Sequence, residues 1–196
     1  MAPPPERRSA RARSAVLDAA LSLVTEVPYG RLTMESIAAR AGVSKATLYR
    51  WWSSKGAVVV EALAEQNRSD MAYGLPDSGD LAADLAAVLR AIVDELADPA
   101  HDALLRALSV ETLLDADLRA QVLNTIFTPQ LDAFAARFAT ARSAGRIGAD
   151  ADDLEAMELV VAPIFHRWQQ GTAPLTHAYA DAVAARAVRA LEVRDP

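Results

Sequence analysis

Between Ser44 and Arg50 the chain carries three hydroxyls (Ser44, Thr47, Tyr49) and two cations (Lys45, Arg50). Such groups donate hydrogen bonds to phosphate oxygens and to the acceptor edges of bases. None of them stands next to a histidine or carboxylate in the spacing that activates a nucleophile. The pattern points to binding of a polyanion rather than to bond-breaking chemistry.

Two short helices are needed to present these side chains. Thr33 is a suitable N-cap for a helix over Met34–Arg40, because its hydroxyl accepts a backbone N–H that the first turn leaves unpaired. Ile37, Ala38 and Ala41 give that helix an apolar inner face, and Ala38 is small where two crossing helices must approach closely. Gly42 sits where the chain must leave the helix, and a left-handed residue there is nearly free only for glycine. Val43 plugs the turn. Ser44 then caps a second helix, Lys45–Trp52, whose Leu48 faces inward. Ile37, Val43 and Leu48 are the apolar framework of a helix-turn-helix, which leaves Lys45, Thr47, Tyr49 and Arg50 pointing outward.

The charge distribution agrees. The net charge is −6, yet residues 1–56 hold nine basic against four acidic residues, a net of +5. The remainder is strongly acidic. A basic head on an acidic body is the footprint of a polyanion bound at one end. The head helix before the motif is expected over Ser9–Val27, stopped by Pro28, Tyr29 and Gly30. Residues 1–8, Pro-rich and then basic, read as a disordered arm.

The rest of the chain reads as helices. Half the residues are hydrophobic, alanine and leucine dominate, and alternating β-branched runs and Asn-Gly turns are missing. A fourth helix starts after Ser53 or Ser54. Others are expected over Asp80–Ala97, from Pro99 to about Leu114, over Asp117–Ala144 with a kink or break at Pro129, over Asp150–Gln170 with a kink at Pro163, and over His177–Val193. The fold class is therefore all-α, a three-helix N-terminal head with a larger C-terminal bundle, about nine helices in all. The expected division is an arm over 1–8, the DNA-binding head over 9–56 and the body over 57–196. There is no cysteine for disulfides or thiolate metal sites. The start of the chain has no signal-peptide pattern and no apolar run nears the ~20 residues of a membrane span, so the expected location is the cytoplasm.

The stretch Tyr29–Lys55 resembles the TetR family of bacterial transcriptional regulators. The family pattern stands here as Tyr29-Gly30, Thr33, Ile37-Ala38, Ala41-Gly42-Val43-Ser44, Thr47-Leu48-Tyr49, Trp52 and Ser54-Lys55. The resemblance implies DNA contact by Thr33, Ser44, Lys45, Thr47 and Tyr49. Ala46 and Arg50, counted with the DNA-contact set, fall at the family's variable positions, so the resemblance carries no base preference over to them. Lys55 would clamp the DNA backbone at the edge of the site. Trp51 stands where the family often has a phosphate-contacting histidine, and its indole N–H can donate but carries no charge. Trp52 looks like the family's core aromatic. Gly56 departs from the family's helix-forming residue and weakens the first turn of its helix by about 1 kcal/mol relative to alanine.

The body resembles the family by helix number and size, and Pro163-Ile164-Phe165 followed by Gly171 is similar to one subgroup of its effector domains. One recognition helix buries too little surface for tight specific binding, so a homodimer on two half-sites is expected. Its interface is expected along the apolar stripes of the last two helices, at Leu159, Val160, Pro163, Ile164, Val183, Ala187 and Leu191. Two prolines within helices, and polar or aromatic residues in apolar stretches, suggest a pocket for an unknown small-molecule effector. The candidate lining is His101, Phe127, Phe134, Phe138, His166, Trp168 and Gln169. The three histidines make no metal-ligand spacing, and no cofactor is expected.

These features together read as a ligand-responsive DNA-binding regulator, a repressor acting as a homodimer on a pseudo-palindromic double-stranded operator. The alternative is a helical protein-interaction module with a degenerate DNA head. An enzyme is disfavoured, since no Gly-x-Ser-x-Gly, glycine-rich phosphate loop, His-Glu-x-x-His or cysteine nucleophile is present.

Overall fold

The computed structural model describes residues 5–70 and 74–192. Its elements are α1 (Pro5–Glu26), a short 3₁₀ turn (Tyr29–Arg31), α2 (Met34–Ala41), α3 (Lys45–Trp51), α4 (Lys55–Asp70), α5 (Leu81–Ala97), α6 (Pro99–Leu114), α7 (Ala116–Val122), a π-helical turn (Leu123–Phe127), α8 (Thr128–Ser143), α9 (Asp153–Gln170) and α10 (His177–Leu191). No strand occurs among the described residues. The chain forms two compact units, one of residues 1–70 and 100–127, the other of residues 71–99 and 128–196.

α1 begins at Pro5, ahead of the expected Ser9. Proline is favoured in a first turn, where its missing N–H would have had no partner. The rest of the expected arm, residues 1–4, lies outside the described residues. In the first unit α1 buries Val16, Leu17, Ala20 and Leu23 against Ile37 and Ala38 of α2, Leu48 of α3, and Val58, Val59 and Ala62 of α4. Leu104 and Leu108 of α6 and Leu118 of α7 belong to the same cluster. The first unit therefore extends past residue 56, where sequence patterning places the end of the head. Its core draws on α4 and on the separate segment that carries Leu104, Leu108 and Leu118. On the surface Arg40 grips Glu26 through both terminal guanidinium nitrogens, Nη1 and Nη2 (2.7 and 2.6 Å), joining α2 to α1. That bond, with a second from Ser22, holds the Glu26 carboxyl down at about 2.

In the second unit α5 contributes Leu81, Leu85, Leu89 and Val93, α8 contributes Phe134 and Phe138, α9 contributes Met157, Val160, Ile164 and Trp168, and α10 contributes Val183 and Ala187. α5 and α10 are bridged at the surface by Arg90 with Asp181 (2.6 and 2.7 Å) and by His177 with Asp94 (2.7 Å). Among the described residues, Asp84 and Arg137 are the two buried charged side chains. The Asp84 carboxylate accepts Nε and Nη2 of Arg137 (3.0 and 2.7 Å) and the backbone N–H of Ser78. Arg137 Nε also reaches the Pro76 carbonyl at 3.1 Å. The pair thus ties the 76–78 loop to α5 and α8.

The two prolines differ. The helix widens into the π turn just before Pro129 and continues through it into α8, so the chain widens there rather than breaking. α9 runs through Pro163 as one element. The Pro163 carbonyl accepts the Tyr179 hydroxyl from α10 at 3.4 Å.

Candidate nucleic-acid interface

The two helices of the motif start and stop on the residues their chemistry requires. Thr33 Oγ1 accepts the Ser36 N–H at 3.1 Å, and Ser36 Oγ accepts the Thr33 N–H at 3.2 Å, a reciprocal cap. Gly42 adopts φ 67°, and its neighbour Val43 donates to the Ala38 carbonyl at 3.0 Å. Ser44 Oγ accepts the Thr47 N–H at 3.1 Å and lies 2.8 Å from Thr47 Oγ1. Two helix N-termini are thereby capped by hydroxyl groups, and of the Ser44 and Thr47 hydroxyls, which share one hydrogen bond, one keeps its proton for an incoming acceptor. Leu48 is fully buried beneath α3, so the face that carries Lys45, Ala46, Tyr49 and Arg50 stays outward and exposed.

Both cations on this face have partners. Lys45 Nζ lies 3.0 Å from Glu35 Oε1. The Arg50 guanidinium stacks over the Trp51 ring at 5.4 Å, and Trp51 meets Trp52 edge-on at 5.5 Å. Trp52 is buried, as expected of a core aromatic, and its Nε1 donates to Glu61 at 2.8 Å. Glu61 also binds Arg13 at 2.7 Å. Trp51 is half-buried against the same core, so packing accounts for most of its surface.

Lys55 is engaged within the protein. Its Nζ donates to the Tyr29 carbonyl at 2.9 Å and sits 4.2 Å from the centroid of the Tyr29 ring. The Tyr29 hydroxyl in turn donates to Glu111 Oε2 of α6 at 2.7 Å. Burial, followed by this bond to Glu111 and its charge, drives the Tyr29 hydroxyl pKa well above the ordinary value. Gly56 explains itself at this point. A Cβ there would lie 2.6 Å from Glu111 Oε2 and 3.0 Å from Leu118 Cδ2. The glycine that departs from the family pattern makes room for a carboxylate held by Tyr29. Gly56→Ala is therefore expected to destabilise the protein by about 1–3 kcal/mol, although alanine favours helices. Thermal denaturation checks this, and the loss should shrink when Glu111→Ala is added; an increase in melting temperature from Gly56→Ala alone would refute the packing argument.

Residues 16–62 match the model for bacterial regulatory proteins of the tetR family, and residues 75–187 match that for tetracyclin repressor-like C-terminal domains. The chain belongs to the TetR family. A DNA-binding transcriptional repressor TetR of Mycobacteroides abscessus is 32% identical over 89% of this chain and 88% of that protein. The TetR family transcription regulator SCO0332 has a crystal structure with a TM-score of 0.78 and 30% identity, over 91% of this chain and 97% of that one. FadR of Bacillus subtilis, solved in complex with stearoyl-CoA, shares the fold at a TM-score of 0.63 and 20% identity, over 89% of this chain and 97% of that one. As a TetR-family member the chain is a helix-turn-helix, DNA-binding transcription regulator.

The pocket residues proposed from sequence for this TetR-like body fall in both compact units. His101 and Phe127 fall in the first compact unit, and Phe134, Phe138, His166, Trp168 and Gln169 in the second. Phe134 and Phe138 touch (5.8 Å between centroids) and are buried, as is Trp168, which meets Phe165 edge-on at 6.2 Å. His166 and Gln169 lie exposed on α9. The dimer stripe also divides. Val160, Ile164, Val183 and Ala187 are buried in the core of their own unit, and Pro163 and Leu191 are half-buried. Leu159 is exposed, and so is Phe165, which the sequence pattern did not single out for this role. No helix among the described residues is long and apolar enough to cross a membrane, and no cluster of three metal-ligating side chains occurs among them.

Proposed function

We propose that the chain is a sequence-specific repressor that acts as a homodimer on an inverted-repeat operator and is released by a small-molecule effector bound in its second unit. The observation that carries the DNA-binding part of this reading is the exposed face of α3 together with the hydroxyl-capped starts of α2 and α3, with Thr33, Ser44, Lys45, Ala46, Thr47, Tyr49 and Arg50 as the contact set. Helix N-termini of this kind receive phosphates, and the side chains beyond them read bases. Trp51 belongs to the packing beneath that face, and Lys55 acts through Tyr29 by steadying the turn that leads into α2.

The two-fold partner would dock on the exposed side of α9 and α10, where Leu159, Ala162 and Phe165 face outward together with Ala178 of α10. The two alanines let helices approach closely, and Leu159 and Phe165 supply apolar surface to bury. A repressor among the relatives and a ligand-bound protein of the same fold support repression and effector response.

Selection from a random duplex pool tests the reading. The protein is expected to enrich an inverted repeat and to bind it as two copies per duplex, with Thr47→Ala costing roughly 1–3 kcal/mol at one base position of each half-site. Enrichment of no sequence over competitor would overturn specific recognition. One copy bound to a single half-site would overturn the dimer.

A further inference from the structure

The head carries a surplus of positive charge, yet several of its cations are held by partners within it. Arg13 is paired with Glu61, Arg40 with Glu26, and Lys55 is held on Tyr29. These sit behind or beside the motif. One pair lies on the recognition helix itself. Lys45 is the first residue of α3, and Glu35 is the second residue of α2. Their charged ends are 3.0 Å apart while the side chains remain 62% and 50% exposed. The Lys45 hydrogen bond, together with one to the Glu35 backbone, keeps the Glu35 carboxyl below its ordinary range, so it stands as a carboxylate at neutral pH.

We propose that Glu35 determines how well this head discriminates between DNA sequences, by holding Lys45 in a neutral pair that random DNA does not open. The proposal rests on the DNA-binding reading above. Sequence-blind affinity comes from cations that displace counterions from phosphates. A phosphate that takes Lys45 leaves a bare carboxylate beside a polyanion, and a random duplex offers nothing to compensate. A duplex that places a cytosine or adenine amino group at Glu35 does compensate, because a carboxylate accepts from those donors in the major groove. The pair therefore subtracts from non-specific binding and leaves binding to the right sequence intact.

The test is the salt dependence of binding to a labelled random-sequence duplex, with the full chain and with Glu35→Gln. The variant keeps the side-chain shape and removes the charge. Its affinity for random duplex is expected to rise about fivefold at 0.1 M salt, and the slope of log K against log salt to steepen by about 0.9, the signature of one more phosphate contact. The preference for a selected site over random duplex falls correspondingly. Adding Lys45→Ala must abolish the gain, so that Glu35→Gln changes nothing in that background. Asp18→Asn, the same charge change on exposed α1, is the control for net charge and should leave the slope as it was. An unchanged slope in Glu35→Gln, or an equal gain in the Lys45→Ala background or in Asp18→Asn, overturns the proposal. Absence of binding to every duplex by the unmodified protein is a different result and removes the DNA-binding reading itself.

Discussion

Arg137→Met is expected to lower the unfolding free energy by about 3–5 kcal/mol, because it leaves a buried carboxylate without its counter-charge. Asp84 is 3% exposed, and the arginine supplies two of its hydrogen bonds. Methionine fills much of the same volume but donates nothing. Burial alone would raise the Asp84 pKa; the bonds from Ser78 and Arg137 outweigh it and hold the group below its ordinary value of 3.8. A carboxyl depressed in the folded state stabilises above its unfolded pKa, and that contribution is lost as the pH falls through the folded value. The wild type should therefore lose part of its stability on acidification below about pH 4, and Arg137→Met should already lack that part at pH 7. Urea titrations followed by circular dichroism at the two pH values measure both. The double variant Arg137→Met with Asp84→Leu should recover most of the loss, since an apolar pair of similar volume avoids the desolvation cost. A single variant as stable as the wild type would show that water reaches the pair.

Leu48→Ala is expected to cost about 2–5 kcal/mol and to weaken DNA binding at least tenfold. Leu48 is fully buried at the point where α3 rests on the head core. The cavity would free the recognition helix from the surface that sets its angle. Leu114→Ala is the matched comparison. That residue is 85% exposed, and its truncation should move stability by less than about 0.5 kcal/mol. Indistinguishable urea midpoints for the two variants would contradict the placement of α3.

Much of this arrangement was legible in the residues themselves. Caps are local chemistry, so Thr33, Gly42 and Ser44 announced the ends of α2 and α3 within a residue. Apolar spacing likewise found Leu48, Ile37 and the core of α5. What stayed hidden was pairing at a distance. Glu111 joins Tyr29 from 82 positions away, and Arg137 joins Asp84 from 53 away, and no periodicity links such residues. The same limit explains the dimer stripe. A helical apolar repeat says that Val160 and Ile164 are covered, but it does not say whether the cover is the same chain or a second copy. Gly56 read as a defect because only the folded state reveals what its missing Cβ would have struck.

The Tyr29–Glu111 bond and the burial of Leu104, Leu108 and Leu118 with the motif bear on modularity. A reader head cut from this protein at residue 56 and grafted onto another regulator's body would arrive without part of its foundation. The transferable cassette is discontinuous: the N-terminal stretch through α4 together with the α6–α7 corner. Recombination between relatives that swaps the first without the second joins a tyrosine to a stranger's helix. Exchange of operator preference is therefore easier by substitution on the face of α3 than by shuffling whole heads.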